Sequence, residues 1–243
     1  MLFLKILFVL IFIAVNVINV FFVNAQRNGP TKKSLALKMA GATGYMLTCI
    51  LAMLIGKNNS RFAWLILAAL FLCWIGDLFL HLWQHKAYPV IGFLGFLSGH
   101  FVFIGAFLNK IQLLTPERGF FSLAEILFVA SFCIGFLLFS WAIGTNLKGL
   151  IKIPLLVYAA VITTMFCKAL IMGLTYKNAG GQNGVPAAVC AAAGAALFVA
   201  SDFSIAILMF NEKYKKNYPL KMFNMVTYFL AVLLLSALPA VVV

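Results

Sequence analysis

The stretch RFAWLILAALFLCWIGDLFLHL, residues 61–82, decides the fold. Between Arg61 and His81 it carries a single charge, Asp77. A helix rises about 1.5 Å per residue, so this run is roughly 30 Å long, the thickness of a bilayer's hydrocarbon core. Its apolar side chains leave no polar stripe, as expected of a helix surrounded by apolar material on every side.

Working outward, the same reading repeats along the chain. Eight apolar runs are long enough to span: 2–23, 34–55, 61–82, 88–108, 121–143, 153–174, 186–209 and 218–240. Short polar breaks separate them, among them Asn28-Gly29-Pro30, Lys57-Asn58-Asn59, Thr115-Pro116-Glu117-Arg118 and Gly180-Gly181-Gln182-Asn183-Gly184. Hydrophobic residues make up 65% of the 243, and charged ones only 9%. A soluble domain is closer to half apolar and a quarter charged, so a soluble core is excluded. The fold class is therefore all-α: one integral membrane bundle of about eight transmembrane helices, spanning residues 1–243 as a single domain.

Segment 1 begins with Lys5 and an apolar run and ends in Val23-Asn24-Ala25, a pattern that resembles a signal peptide. Its length favours a retained span. The net charge of +13 sits mostly in the breaks, where basic residues set topology and meet anionic headgroups. The expected partner is thus a lipid bilayer and not nucleic acid. Odd-numbered breaks hold eleven Lys and Arg: Arg27, Lys32, Lys33, Lys38, Lys86, Lys148, Lys152, Lys213, Lys215, Lys216 and Lys221. The N-terminus and even breaks hold six: Lys5, Lys57, Arg61, Lys110, Arg118 and Lys177. The bias puts the odd breaks in the cytoplasm and both termini on the opposite side of a bacterial inner membrane or the endoplasmic reticulum. The five cysteines lie singly within apolar runs and read as small hydrophobes.

Charges inside a bilayer are costly and mark function by default. Two acids lie deep, Asp77 in segment 3 and Asp202 in segment 7. Helix rise places them roughly 8 and 10 Å from the same membrane face. Lys38 and Tyr158 fall in that same half, which predicts one polar cavity opening toward the cytoplasm. Glu125 is expected to reach the interface, and Lys168 to snorkel toward it. Gly76-Asp77 and Ser201-Asp202 share a small residue before the acid, each in the third segment of a four-helix half. Little else matches, so an internal repeat is not expected.

Two readings of the acids stand side by side. They could fasten the bundle through hydrogen bonds to Lys38, Tyr158 or hydroxyls. Alternatively they are a carboxyl pair that divides general-acid and general-base work. A metal site of Asp77, His81, His85 and His100 is arithmetically possible. However, His81 and His85 lie beside Trp83 and Lys86, where an interfacial belt is the simpler expectation. His100, mid-segment in Ser98-Gly99-His100, fits a buried hydrogen-bonded histidine and a site residue equally. Gly92, Gly95 and Gly99 form a small-residue stripe suited to close helix packing, as does the Ala- and Gly-rich stretch 187–196.

At these residues the sequence resembles the YhhN family, which includes lysoplasmalogenases. The similarity is carried by Gly194-Ala-Ala-Leu-Phe-Val-Ala-Ser201-Asp202-Phe-Ser-Ile-Ala206, by Gly76-Asp77-Leu followed by Phe96-Leu-Ser-Gly99-His100, and by Tyr158-Ala-x-x-Ile162-x-x-Met165. It extends over nearly the whole chain. The chain departs where the family often has Lys-Pro, here Lys38-Met39. It departs again where the family often ends in Thr-Tyr-Tyr-x-x-Gln, here Thr227-Tyr228-Phe229-Leu230-Ala231-Val232. The resemblance implies an enzyme that hydrolyses the vinyl ether bond of a lysophospholipid, the lysoplasmalogen, to a fatty aldehyde and a glycerophospho-headgroup. It implies Asp77 and Asp202 as catalytic, Lys38, His100, Tyr158 and Tyr228 as substrate-binding, and no metal or other cofactor. The competing classes are a transporter or lipid-binding protein, in which Asp and Lys form a coupling pair, and a zinc-dependent lipid hydrolase. An intramembrane aspartyl protease is disfavoured because Trp74-Ile75-Gly76-Asp77 lacks the Gly-x-Gly-Asp signature.

Overall fold

The computed structural model describes residues 1–27, 29–82, 87–142 and 152–243, with the side chain of Lys152 left out. Among them run α1 Leu2–Ala25, α2 Lys32–Gly56, α3 Arg61–His81, α4 Tyr88–Leu114, α5 Leu123–Ala142, α6 Lys152–Asn178, α7 Gly184–Phe210, α8 Tyr218–Ser236 and the short α9 Leu238–Val241. The first eight are each long and apolar enough to cross a membrane. The protein is thus a multi-pass helical membrane protein, as the hydropathy predicts. Trp83, His85, Lys86, Lys148, Asn28 and the end of segment 5 at 143 lie outside the described residues.

Local chemistry sets the helix ends. The Thr31 hydroxyl accepts from Ser34 N while Ser34 Oγ accepts from Thr31 N, a reciprocal cap that starts α2. The side chains of Ser60 and Asn217 cap α3 and α8. α8 ends four residues earlier than the apolar run suggests. Pro239 cannot donate a backbone hydrogen bond, so the chain resets at Ala237 into α9. α4 runs six residues past the expected end at 108, through Asn109 and Lys110. Lys110 Nζ there reaches the backbone oxygen of Val243, 3.3 Å away.

The bundle is apolar on its outer surface and in most of its core, and its buried charges are gathered inside. Phe3, Leu10, Trp64, Phe101, Leu127 and Trp141 point outward, whereas Lys38, Asp77, His100, Lys168 and Asn224 are buried. The tightest pairing is α3 on α4. A Cβ at Gly95 would lie 3.0 Å from Gly76 N, and one at Gly92 2.8 Å from Leu80 N, so only glycine permits this approach. The stripe seen in the sequence is therefore the face α4 turns to α3. α7 packs on α8 and on α6, α2 on α1 and α3, and α5 rests against α6 at the edge.

Two sequence expectations are corrected here. Lys168 does not snorkel: it is 1% exposed and its Nζ lies 2.6 Å from Glu125 Oε1. Glu125 is likewise buried and does not reach out to the interface. It accepts from Ser122 N at 2.7 Å while Ser122 Oγ accepts from Glu125 N, which caps α5. Lys168 also donates to the Phe120 carbonyl oxygen and sits over the Phe121 ring. Every strong donor and acceptor in this cluster thus finds a protein partner, which is why a lysine can stay so far from water.

Candidate active site

Asp77 sits near the end of α3, fully buried, where α2 and α8 meet it. Its Oδ2 accepts from Tyr228 of α8 at 2.5 Å and from Tyr45 of α2 at 3.1 Å. Lys38 Nζ lies 3.1 Å from Oδ1. Lys38 therefore balances the charge of Asp77 from the Oδ1 side, while the two tyrosines hold Oδ2.

Asp202, on α7, is arranged similarly with different chemistry. Its Oδ2 accepts from Tyr158 of α6 at 2.5 Å and lies 3.1 Å from His100 Nε2 of α4. His100 Nε2 is also 3.1 Å from the Tyr158 hydroxyl. On the far side of the ring, His100 Nδ1 lies 3.3 Å from Met165 Sδ. Thioether sulfur only accepts, so this contact requires a proton on Nδ1. With Nδ1 protonated, one further proton can sit on Nε2 or on the Asp202 carboxyl, and the Nε2–Oδ2 contact is satisfied either way. The His100 ring is fixed by edge contacts with Tyr158 and Phe198.

Both aspartates line one cavity of about 90 Å³. Lys38, Tyr158 and Tyr228 line it too. His100 is wholly buried behind Asp202 and reaches the cavity through that carboxylate and Tyr158. The rest of the wall is mainly apolar, including Leu80, Phe93, Phe96, Leu155 and Ile205. All six residues singled out from the sequence therefore gather around a single space, in the half of the bundle where α2, α4, α6 and α8 begin. A second apolar crevice shares Leu155, Tyr158, Asp202 and Ala206 with it and continues past Phe132, Phe136 and Phe203 between α5, α6 and α7.

The contacts follow the order a four-helix repeat would give, contrary to the sequence expectation. Asp77 takes partners from α2, the helix before its own, and from α8, the last of the other half. Asp202 takes partners from α6 and α4, in the corresponding order. Lys38 and Tyr158 are each the seventh residue of their helix, and Tyr45 and Met165 each the fourteenth. The correspondence lies in position and not in residue type, so sequence similarity between the halves does not reveal it.

His81 corrects another expectation. It is not an interfacial belt residue: it is 4% exposed, 2.8 Å from Ser34 Oγ, with its ring against Phe22. Among the described residues no three His, Cys, Asp or Glu side chains converge as metal ligands; His85 lies outside them. Tyr45 and Met165 were missed by the sequence reading. Each stands seven residues, two helical turns, after a residue that was picked: Tyr45 after Lys38, Met165 after Tyr158. Same-face spacing from a chosen polar residue is the signal that would have found both.

Eight apolar spans enclosing two hydrogen-bonded carboxylates in one cavity define a membrane-embedded protein with the furniture of an acid–base site. The chain belongs to the YhhN family, whose sequence profile matches residues 34–238. The match takes in every cavity-lining residue named above and begins after α1. Neither the curated proteins nor the solved structures give a significant match.

Proposed function

We propose that this protein hydrolyses the vinyl ether bond of lysoplasmalogens within the membrane. The family is consistent with a hydrolase. The observation that carries the reading is that Asp77 and Asp202 line one largely apolar cavity with unlike partners. The apolar crevice beyond Asp202 suits an alkenyl chain, and the cavity between the acids suits the polar bond.

The chemistry would run as follows. The Asp202–His100 unit, oriented by Tyr158, gives its mobile proton to the β-carbon of the vinyl ether. The double bond's electron pair forms the new C–H bond and an oxocarbenium ion results. Asp77, charge-balanced by Lys38, stabilises that cation and accepts a proton from the attacking water. Protonated Asp77 then gives that proton to the glycerol oxygen of the hemiacetal, which leaves as the glycerophospho-alcohol, while the hemiacetal hydroxyl gives its proton to Asp202–His100 and becomes the carbonyl of the fatty aldehyde. Two carboxyls serving an oxocarbenium-like transition state is the logic of glycoside hydrolysis.

Asp77→Asn and Asp202→Asn are each expected to lower aldehyde release from lysoplasmenylethanolamine by on the order of 10²–10⁴-fold while the protein stays folded in detergent. The double variant should lose little more than either single one, because acid and base act on one transition state. Near wild-type turnover by either Asn variant would remove that aspartate from the mechanism. The cavity's half of the bundle is proposed to face the cytoplasm. A cysteine at the exposed Lys216 should then be labelled from the cytoplasm and one at the exposed Glu117 from the other side; the reverse pattern would invert the protein.

A further inference from the structure

Next to the cavity of the two aspartates lies a larger and more open one, of about 280 Å³. The two share Lys38, Leu80, Ile205, Met209, Asn224 and Met225, which set them side by side. Their chemistry differs. The outer chamber is lined by Lys215 and Lys221 in addition to Lys38, and by no Asp or Glu among the described residues. Lys38 is already matched by Asp77. The positive charge of the chamber without an acidic partner is therefore that of Lys221, with Lys215 paired to Glu212 at the exposed rim.

Lys221 Nζ donates to the Gln26 backbone oxygen at 3.1 Å, which fixes the ammonium and leaves two of its three protons for another acceptor. Lys215 has only an exposed contact with Glu212 one turn away. Gln26 and Asn224 line the same chamber, are 7% and 1% exposed, and each has a side-chain oxygen with no partner. The amide nitrogen of Asn224 is held by Ser201 O and Oγ at 2.7 and 3.0 Å, which settles which end of its amide is the free oxygen. An orphaned buried acceptor of this kind calls for a donor. Cations with two spare carbonyl oxygens beside them match an anion flanked by hydroxyl or ammonium donors.

α8 orders these groups. Lys221, Asn224 and Tyr228 follow at helical spacing on one face, and the step from Lys221 to Tyr228 is roughly 10 Å of helix. Tyr228 holds Asp77. The helix thus sets a fixed offset between the cationic chamber and the carboxylates.

We propose that the outer chamber is the phosphate subsite of a lysophospholipid headgroup, with Lys221 as its principal contact and Lys215 as a second one. This rests on the vinyl ether reading for the substrate's identity and on the chamber alone for the phosphate. It places the phosphate at Lys221 and leaves Lys38, substrate-binding by the family resemblance, paired with Asp77.

The test compares substrates with and without the phosphate. Lys221→Met keeps the aliphatic stem and removes the charge. It should raise KM for lysoplasmenylethanolamine roughly ten- to hundredfold, as expected for losing a hydrogen bond to a charged group, with kcat changed by no more than about twofold. For the headgroup-free 1-alkenylglycerol it should leave kcat/KM unchanged. Lys215→Ala, at an exposed site remote from helix packing, should show the same split at about threefold. Equal losses on both substrates, or no loss on either, would overturn the subsite.

A binding arm separates this from the reaction. Lysophosphatidylethanolamine should raise the melting temperature of wild-type protein more than a monoacylglycerol of equal chain length, and Lys221→Met should erase that difference. If wild-type protein cleaved neither ether, the vinyl ether reading would fail while this arm still decided the subsite. An absent headgroup difference, or full stabilisation by inorganic phosphate alone, would overturn the headgroup assignment.

Discussion

Asp77 and Asp202 occupy matching places in the two halves of the bundle, and each accepts a 2.5 Å hydrogen bond from a tyrosine on a neighbouring helix. Their remaining partners differ. Asp77 has Lys38 and Tyr45, which together give a fixed positive charge and a second hydroxyl. Asp202 has His100, which is backed by the Met165 sulfur. A lysine ammonium beside a carboxylate is a stationary charge, whereas imidazole is the side chain suited to passing protons near neutral pH. Asp202 is also the less enclosed, with 11% of its side chain exposed against 1% for Asp77. The two aspartates thus differ in partners and exposure, and the proposed mechanism assigns charge-holding to Asp77 and proton delivery to Asp202.

The largest effect should come from breaking that division. His100→Gln retains a side-chain donor of similar reach but cannot exchange a proton. It should cut kcat by on the order of 10²–10⁴-fold with a melting temperature close to wild type. Lys38→Met should behave differently, losing both activity and stability, because removing one partner strands a buried charge at a cost of about 3–5 kcal/mol. Adding Asp77→Asn to Lys38→Met should restore much of the stability and none of the turnover. If His100→Gln lost stability and kept turnover, the proton-carrying assignment would be wrong.

The Lys168–Glu125 pair sharpens the comparison from outside the cavity. It too is a buried lysine–carboxylate contact, at 2.6 Å. Its oxygens, however, are claimed by Lys168, Ser122 N and the nearby Arg118, and it lines none of the cavities described above. Burial of a charge pair therefore does not mark a site; a pair that also lines a cavity, as Lys38 and Asp77 do, is what separates the two. Lys168→Met should destabilise the protein by about 3–5 kcal/mol. The fraction that folds should turn over at the wild-type rate. Replacing both members with apolar residues, Lys168→Met with Glu125→Leu, should recover most of the loss in a denaturation series. Reduced turnover in well-folded double variant would mean that this cluster also communicates with the cavity.

What the sequence disclosed follows from what a bilayer forbids. Uninterrupted apolar length named the spans, and the cost of intramembrane charge named Asp77 and Asp202. Counting helix rise put Lys38, Tyr158 and the acids at one depth, and the structure brings them to one space. The reading stopped where function depends on which face meets which. Lys168 counted as near its helix end by position, yet its side chain turns inward because Glu125 and the Phe120 carbonyl wait there. His81 stood beside an apparent belt, yet Ser34 from α2 claims it. The relation of the halves was hidden for a similar reason. The corresponding positions carry Lys38 and Tyr158, or Tyr45 and Met165, which share location and not chemistry.

Tyr45 offers the finest cut between a charge-holding and a merely structural Asp77. Its hydroxyl is the longer of the two donors to Oδ2, and the ring is fully buried. Tyr45→Phe removes one hydrogen-bonding oxygen and leaves the ring's packing intact. Asp77 keeps Tyr228 and Lys38, so no charge is stranded and the cost should be that of one hydrogen bond. Were Asp77 only a fastening point between α2, α3 and α8, that cost would fall on the folded state, as about 1 kcal/mol of stability with unchanged kcat. If Asp77 must meet a developing cation, the missing donor alters how its negative charge is shared between Oδ1 and Oδ2 at the moment of reaction. Turnover should then fall about tenfold while KM stays within about twofold. Measuring kcat, KM and the melting temperature on the same preparation separates the two, and a stability loss without a kcat loss would make Asp77 a fastening point.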